Sequence, residues 1–275
     1  MARPRVSVKA PPGSSVRTFR IVLSMLVFAL VFGAGPRALR AAPESIRVSL
    51  ITMGPGDEMV TRFGHDALVV ERPGQPGLVY NFGTYNAESR SVARLLSGDL
   101  RYFLSVTRYP RTVAHYRRMN RGISLQDLLL DENEATALAQ ALTENARPAN
   151  AAYRYDFARD NCATRVRDAL DRATGGALRA SMTGVAPYTY REHILRLTAP
   201  DPFVYAFFDV GLGAPADRKL DAWDDAFLPD RLAGYVAAAK RPGPSGLRPL
   251  AGPERVVFRA ERPPALERPP QRAHW

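Results

Sequence analysis

The order of the predicted elements limits the fold of this chain most strongly, because strands come first and helices follow. Residues 46–53 alternate apolar and polar side chains, which predicts a strand. Residues 63–70 and 78–84 flank a turn-rich segment, so we expect a hairpin with a seven-residue loop. A further strand is predicted over Leu100–Thr107. Strands followed by helices, without strand–helix alternation, indicate an α+β fold with an antiparallel sheet.

Helices are predicted in the second part of the chain. A short helix covers Thr112–Asn120, and a capping box opens a second one over Asp131–Asn145. A third helix begins after Asp160, because apolar residues recur on one face until the glycine pair at 175–176 provides a stop. The aromatic residues over 203–208 are expected to pack in the core and not to line a lipid groove.

Basic residues are concentrated at the two ends of the chain. The formal net charge is +11, but residues 1–42 hold seven basic residues and no acidic one, and residues 240–275 hold eight basic and three acidic residues. Residues 43–239 therefore contain 23 basic and 24 acidic residues, a net charge of −1. Binding of nucleic acid needs a basic patch on the folded body, so we expect no nucleic-acid partner.

The N-terminal segment has the layout of a secretory signal. Fourteen uncharged residues, 21–34, follow a basic stretch and precede a small-residue region that ends near residue 42. A membrane-spanning helix needs about 20 residues, so this apolar stretch is short for one. We expect residues 1–42 to be a signal peptide or N-terminal anchor and residues 43–239 to be a domain in the periplasm or cell envelope. The Pro- and Arg-rich residues 240–275 are expected to form an extended tail, interrupted only by a short strand-like stretch over residues 255–259; the tail is a candidate to contact a membrane surface.

The single cysteine of the chain, Cys162, excludes an intramolecular disulfide. In an exported protein a lone thiol is either a buried apolar group or a nucleophile. Cys162 lies at the predicted start of a helix, just after two suitable N-cap residues, Asp160 and Asn161. The N–H groups at a helix N-terminus stabilise a thiolate, so we predict that Cys162 is a nucleophile with a lowered pKa.

Four histidines are available as a base for such a nucleophile. His115 and His193 lie in charged helical sequence and are expected to be solvated, and His274 lies in the tail. His65 instead lies in a predicted strand of the hairpin. The hairpin places Asn81 on the same face as His65, which makes Asn81 a candidate to orient the imidazole.

Five short motifs occur in an order that is typical of one family. They are Gly54–Glu58, Arg62–His65, Tyr80–Thr84, Tyr153–Phe157 and Asp160–Arg165. The chain resembles the periplasmic domain of the bacterial lipoprotein N-acyltransferase Lnb family over roughly residues 46–235, including Phe227–Asp230. That family resembles the circularly permuted papain-like group, which includes the permuted NlpC/P60 proteins. The resemblance implies an NlpC/P60-like fold in which an antiparallel sheet carrying His65 packs against a helix starting at Cys162.

The resemblance also implies acyl-transfer chemistry, with Cys162 as the nucleophile and His65 as the base. A Cys162 thioester would carry an acyl group from a phospholipid, and the acceptor in the family is the amine of a lipoprotein. Phospholipid or lipoprotein acyl groups are thus the expected partners, and we expect neither a cofactor nor a metal. Glu58 and Arg62 lie close to His65, and Asn161 precedes Cys162, so these three are candidate substrate-binding residues.

Two alternatives stay open. Permuted NlpC/P60 proteins share the Cys–His constellation, so a cell-wall peptide or amide thiol hydrolase is the nearest one. The alternative from another class is a non-catalytic envelope binding protein, in which Cys162 packs and His65 is structural. The acceptor is open as well, because the family's acyltransferases join this domain to a membrane domain and no window after residue 43 is apolar enough to span a bilayer.

Overall fold

The structure is a computed structural model that describes residues 45–85 and 100–270. The predicted signal peptide or anchor, residues 1–42, lies outside the described residues, as does His274. Among the described helices, none combines the length and the apolar character that crossing a membrane requires.

Antiparallel strands dominate the architecture. The described residues contain β1 (Arg47–Met53), β2 (His65–Glu71), β3 (Leu78–Thr84), β4 (Arg101–Arg108), β5 (Ile123–Asp127), β6 (Ala152–Arg154), β7 (Val185–Thr189), β8 (Lys219–Asp221), β9 (Lys240–Gly243), β10 (Gly246–Pro249) and β11 (Arg255–Phe258). Seven of them form one sheet in the order β11-β5-β1-β2-β3-β4-β6, and each neighbouring pair is antiparallel. β7 pairs with β8, and β9 pairs with β10.

Helices pack on this sheet and follow its first four strands in the chain, whereas β5, β6 and β11 come after one or more helices. Their bounds are α1 (Tyr109–Arg118), α2 (Glu132–Asn145), α3 (Pro148–Ala151), α4 (Cys162–Ala173), α5 (Ala177–Ser181), α6 (Tyr190–Thr198), α7 (Pro202–Gly211), α8 (Ala222–Asp225) and α9 (Pro229–Ala238). A 3-10 turn, Met59–Thr61, lies between β1 and β2. The combination of an antiparallel sheet with packed helices confirms the α+β class.

Local sequence signals account for many of these boundaries. β3 covers the predicted residues 78–84. α2 begins after Asp131, whose carboxylate accepts a hydrogen bond from the Glu134 N–H at 2.9 Å, while the Glu134 carboxylate accepts one from the Asp131 N–H at 2.8 Å. This capping box satisfies N–H groups that have no partner inside the helix, so α2 starts where the sequence predicts.

The sheet buries apolar side chains on both of its faces. One face packs against α2, α4 and α9 through a cluster that includes Leu50, Leu68, Leu138, Val166 and Val236. The opposite face packs against α1 through a cluster that includes Ile51, Ala67, Val69, Val113 and Tyr116. Side chains alternate along a strand, so β2 contributes Leu68 to one core and Val69 to the other. The sheet is therefore a buried layer between helices.

His193 lies in a third apolar cluster, around Phe227, and is fully buried. Its Nε2 is 2.5 Å from Oδ1 of Asp225, and Arg231 donates to Oδ2 of the same carboxylate at 2.6 Å. The prediction of a solvated His193 is wrong, because its carboxylate partner lies 32 residues away in the sequence. A buried imidazole needs such a partner, and the local charge pattern does not reveal it.

The aromatic residues of α7 are only partly buried. Tyr205 is in the interior, but Phe203 and Phe207 are 89% and 67% exposed, and Val210 is 86% exposed. The spacing of these three exposed residues places them on one face of α7. The prediction that the aromatic residues over 203–208 are core residues is therefore wrong for Phe203 and Phe207, because only the Tyr205 side of the helix is covered.

The chain after residue 240 adds three strands to the domain. β9 and β10 pair with each other, and β11 joins the edge of the central sheet beside β5. Arg241 is buried, donates to the Leu129 carbonyl oxygen at 2.7 Å and forms an ion pair with Glu134. The expectation of an extended tail is thus corrected for residues 240–249, which form β9 and β10, while β11 lies in the strand-like stretch 255–259. The side chain of Arg241 bonds to residues 107 and 112 positions earlier in the chain, and local sequence does not reveal such distant partners.

Arg241→Ala is expected to lower the free energy of unfolding by about 3 kcal/mol, because it leaves the Glu134 carboxylate without its buried partner. Arg259→Ala, at an exposed position, is the control and should change this free energy by less than about 0.5 kcal/mol. Urea unfolding followed by circular dichroism measures both values. Equal stability of the two variants would contradict the packing of this segment on the domain.

Candidate functional site

The loop between β1 and β2 places His65 at the end of the sheet. Gly64 has a φ of +79°, and a β-carbon there would lie 3.1 Å from the Met53 carbonyl oxygen, so the turn requires glycine. His65 then pairs with Met53 as the first residue of β2. Its ring lies on the α1 side of the sheet, nearly parallel to the Tyr116 ring at a centroid distance of 6.4 Å. The position of the imidazole is thus set by the strand and by an aromatic neighbour.

Asn161 sets the residue at which α4 begins. Its side-chain oxygen accepts a hydrogen bond from the Thr164 N–H at 2.9 Å, and the Thr164 hydroxyl accepts one from the Asn161 N–H at 2.8 Å. Its amide nitrogen donates to the carbonyl oxygens of Phe157 at 2.6 Å and Phe227 at 2.9 Å. Cys162 is therefore the first residue of the helix.

The pairing between β2 and β3 ends before the place where the side chains of Cys162 and His65 lie close to Gly83. Their ladder covers only Leu68–Val70 with Leu78–Tyr80, although both strands extend further. Gly83 lies beyond the ladder with a φ of +91°, and a β-carbon there would lie 3.6 Å from Cβ of Cys162 and 3.7 Å from Cε1 of His65. Cys162 packs with the core on the α4 side of the sheet. Both side chains therefore lie beside Gly83, which has no side chain of its own to separate them.

Asn81 contacts the imidazole of His65 through a side-chain hydrogen bond. The Asn81 amide nitrogen donates to the Val79 carbonyl oxygen at 3.3 Å and to Oγ1 of Thr107 at 3.2 Å. These bonds leave the side-chain oxygen to accept from the imidazole N–H. The Thr107 hydroxyl is itself bonded to that of Thr112 at 2.7 Å. Hydrogen bonds thus engage both the nitrogen and the oxygen of the Asn81 carboxamide, so it can keep the imidazole of His65 in one orientation.

His65 is neutral at physiological pH. Burial, followed by the nearby guanidinium of Arg121, lowers the pKa of His65 to about 4, and the Asn81 hydrogen bond opposes this shift. Arg121 is itself buried, donates to the Gly54 carbonyl oxygen at 2.8 Å and lies 4.8 Å over the Tyr116 ring. One imidazole nitrogen is therefore free to accept a proton.

Cys162 is half-buried, and its thiol is neutral as well. Burial raises the pKa of the Cys162 thiol to about 12, even though the N–H groups of Asp66, Ala163 and Cys162 itself lower it. The prediction of a thiolate with a lowered pKa is therefore wrong, because the loss of solvation outweighs the effect of the helix N-terminus. The resting site holds a neutral thiol beside a neutral imidazole.

The three candidate substrate-binding residues occupy different environments. Glu58 is exposed, and its carbonyl oxygen accepts from the N–H groups of Thr61 and Arg62 in the 3-10 turn. Arg62 donates to Asp201, at the start of α7, at 3.2 Å. Both N–H groups and the oxygen of the Asn161 amide are engaged within the fold, which favours a structural role for Asn161 over contact with a substrate.

Closure of the predicted hairpin already places His65 near Gly83, but sequence reasoning misses another residue of the site, Tyr153. The Tyr153 hydroxyl would lie 3.9 Å from a β-carbon at Gly83, so it faces the same point as Cys162 and His65. Tyr153 belongs to β6, an edge strand of three residues, which is too short for a hydrophobic pattern to predict it. Its one sequence signal is its place in the motif Tyr153–Phe157, which supports the family resemblance.

The fold and the residues around Gly83 place this protein in the class of antiparallel α+β domains with a cysteine and a histidine side by side. An antiparallel α+β domain brings a thiol at a helix N-terminus, an imidazole and a carboxamide to one end of its sheet. Within residues 45–85 and 100–270, no group of three or more His, Cys, Asp or Glu side chains is arranged to hold a metal ion.

Comparison with protein families then identifies the chain. It belongs to the family of Lnb N-terminal periplasmic domains, whose family model matches residues 38–196. The matched residues include His65, Asn81 and Cys162, and the family assigns the domain to the periplasm. Comparisons with curated proteins and with solved structures gave no match.

Alkylation of Cys162 by iodoacetamide is expected to accelerate steadily between about pH 7 and pH 10. With a thiol pKa of about 12, the reactive thiolate is a small fraction that grows about tenfold for each pH unit. In urea the thiol has its ordinary pKa near 9.0, so the rate of the unfolded protein levels off above that pH. A plateau in the rate of the folded protein below about pH 8 would contradict a neutral resting thiol.

Gly83→Ala is expected to slow the alkylation of Cys162 by about tenfold, because the added methyl group occupies the space between the thiol and the imidazole. Gly74→Ala is the matched control, since Gly74 also has a positive φ, +65°, but no atom lies within 4 Å of its β-carbon position. Both variants should lose about 1–2 kcal/mol of stability from backbone strain. Equal alkylation rates in the two variants would show that the space beside Gly83 does not matter for the reactivity of Cys162.

Proposed function

We propose that this protein is a periplasmic cysteine-dependent acyltransferase in which Cys162 carries the acyl group as a thioester. The observation that carries the proposal is the approach of Cβ of Cys162 and Cε1 of His65 to one point beside Gly83. A nucleophile, an adjacent base and a group that orients the base are the components of thiol-dependent acyl transfer. Membership of the Lnb family adds a lipoprotein-processing context.

The chain order of these groups supports a circularly permuted papain-like, NlpC/P60-like fold. α4 begins at Cys162 and packs against β2 and β3, and His65 opens β2. The histidine strand thus precedes the cysteine helix, as in the permuted group. Asn81 supplies the carboxamide that orients the imidazole.

The first half-reaction moves an acyl group from an ester to Cys162. As the sulfur attacks the ester carbonyl carbon, the neutral His65 accepts the thiol proton, so the thiolate exists only during the attack. The C–S bond forms, and the tetrahedral intermediate collapses when the ester C–O bond breaks. The imidazolium then returns the proton to the leaving alcohol oxygen. The products are the Cys162 thioester and a lyso-lipid.

The second half-reaction passes the acyl group to an amine. The amine nitrogen attacks the thioester carbonyl carbon, and His65 accepts one of its protons. The C–S bond breaks, and the proton passes from the imidazolium to the sulfur, which restores the thiol. Because the pKa of His65 is about 4, the imidazole is a free base at the start of each half-reaction at neutral pH. The proposed acceptor is the amino group of a lipoprotein.

A phospholipid donor is favoured by an apolar face on α7, formed by Phe203, Phe207 and Val210. These side chains are 67–89% exposed. Met59 and Val60, in the turn before β2, are 45% and 47% exposed. Large apolar side chains that are exposed together mark interaction sites, and aromatic residues on a helix face insert into the lipid interface.

One ion pair connects this apolar face with the loop that precedes His65. Nη2 of Arg62 donates to Oδ2 of Asp201 at 3.2 Å, and Oδ1 of Asp201 caps α7 by accepting from the N–H groups of Phe203 and Val204. Arg62 is three residues before His65, so the apolar face is joined to the catalytic loop. The proposed occupant of this face is a phospholipid bilayer, which also supplies the acyl donor.

The purified protein, mixed with phospholipid vesicles, is expected to release lyso-phospholipid and to form an acyl adduct on Cys162. Mass spectrometry measures both products. Cys162→Ala should give neither product, and His65→Ala should slow the reaction by about 10²–10⁴-fold, because it removes the base. If the wild-type protein gave neither lyso-lipid nor an adduct, the phospholipid donor would be rejected.

The same assay separates lipid from peptide chemistry. Phe203→Ser combined with Phe207→Ser should lower lyso-lipid release from vesicles and leave the reaction with soluble p-nitrophenyl butyrate unchanged. Val185→Ser is the matched control, since Val185 is 73% exposed but lies outside α7. Unchanged vesicle activity in the double variant would rule out this face as the lipid contact. Cleavage of cell-wall peptides without lyso-lipid release would favour the thiol hydrolase instead.

A further inference from the structure

The Tyr153 hydroxyl lies close to Cys162 and His65, and the described part of the fold provides no acceptor for its proton. A β-carbon at Gly83 would be 3.9 Å from this oxygen, 3.6 Å from Cβ of Cys162 and 3.7 Å from Cε1 of His65. Tyr153 is 7% exposed; the backbone N–H of Gly83 is directed at its oxygen, but among the described residues no acceptor takes the proton of the hydroxyl. A buried donor without an acceptor is costly, so its retention points to a ligand that accepts this hydrogen bond.

The ring of Tyr153 is held in place by a cation. The guanidinium of Arg165 lies 3.7 Å over the ring centroid, and Arg165 is itself held by two hydrogen bonds to the Asp160 carboxylate, at 2.6 and 2.9 Å. Asp160 and Arg165 flank the first turn of α4. The hydroxyl is therefore positioned by the same helix start that positions the thiol.

Tyr153 is a hydrogen-bond donor at every pH of interest. Burial raises the pKa of Tyr153 well above its ordinary value, and the neighbouring Cys162 acts in the same direction, against the opposing effect of Arg165. The hydroxyl thus keeps its proton and has no acceptor for it in the described structure.

Attack on an ester by Cys162 places a negative charge on the carbonyl oxygen. Hydrogen-bond donors are needed to stabilise this charge. The N–H groups of Cys162 and Ala163 face the sulfur at the start of α4. We propose that Tyr153 completes the oxyanion hole, its hydroxyl donating a hydrogen bond to the oxygen of the tetrahedral intermediate. This inference rests on the acyl-transfer function proposed above, and it adds a further catalytic residue to that site.

Tyr153→Phe tests the assignment, because it removes the hydroxyl and keeps the ring under Arg165. Two reactions of Cys162 are compared in the full-length protein. Acylation by p-nitrophenyl butyrate passes through an oxyanion, whereas alkylation by iodoacetamide displaces iodide at a saturated carbon and forms none. The variant is expected to acylate about 10²-fold more slowly than the wild type and to alkylate at the wild-type rate.

Tyr80→Phe is the matched control. Tyr80 is a buried tyrosine of the same sheet, but its hydroxyl bonds to Oγ1 of Thr143 at 3.1 Å, away from the thiol. Both of its rates should equal those of the wild type.

The outcomes separate this inference from the function on which it rests. Equal acylation rates in Tyr153→Phe and the wild type would overturn the inference and leave the acyltransferase proposal intact. An equal fall in acylation and alkylation would assign Tyr153 to positioning of the thiol and would overturn the oxyanion role. A wild-type protein that alkylates but forms no acyl-Cys162 would overturn the acyl-transfer proposal and the inference together.

Discussion

The hydrogen bonds of the Asn161 side chain are the interaction on which the rest of the site depends. The amide starts α4 at Cys162 and ties this helix to the carbonyl oxygens of Phe157 and Phe227. Phe227 in turn packs against His193, which the Asp225 carboxylate holds in the interior. The location of the thiol is therefore determined by contacts that reach from the N-cap to Phe227, 66 residues further along the chain, and from there to the buried pair of His193 and Asp225. A single amide sets both the first residue of the helix and its place on the sheet.

Burial determines the chemistry that this arrangement supports. The loss of solvation around Cys162 outweighs the N–H groups that would stabilise a thiolate, and the same effect keeps His65 unprotonated. A neutral pair differs from a preformed ion pair, because in the proposed reaction the thiol proton moves to the imidazole while the sulfur attacks. Such a site avoids a permanently reactive thiolate in an oxidising compartment. The ends of β2 and β3 that carry these residues do not pair with each other, and this leaves room for both side chains beside Gly83.

Local sequence patterns anticipated many elements. The hairpin of β2 and β3, the capping box at Asp131 and the start of a helix beside Cys162 each depend on residues within a few positions of one another. β5 has only five residues and no clear alternation, so its place beside β1 depends on long-range pairing. The burial of His193 and Arg241 and the exposure of Phe203 were mispredicted for a related reason. The partners of His193 and Arg241 lie in distant parts of the chain. Phe203 is exposed because no distant segment of the described chain packs over it.

The sequence by itself determined the α+β class, the family and the choice of Cys162 and His65 as the candidate reactive residues, because these follow from residue identity and short-range spacing. Only the tertiary structure decided that both side chains lie beside Gly83, that both are neutral and that the Tyr153 hydroxyl faces the same point. The physical reason is that desolvation and approach distance depend on everything packed around a group. Much of what surrounds Cys162 comes from strands about 80 to 100 residues earlier in the chain.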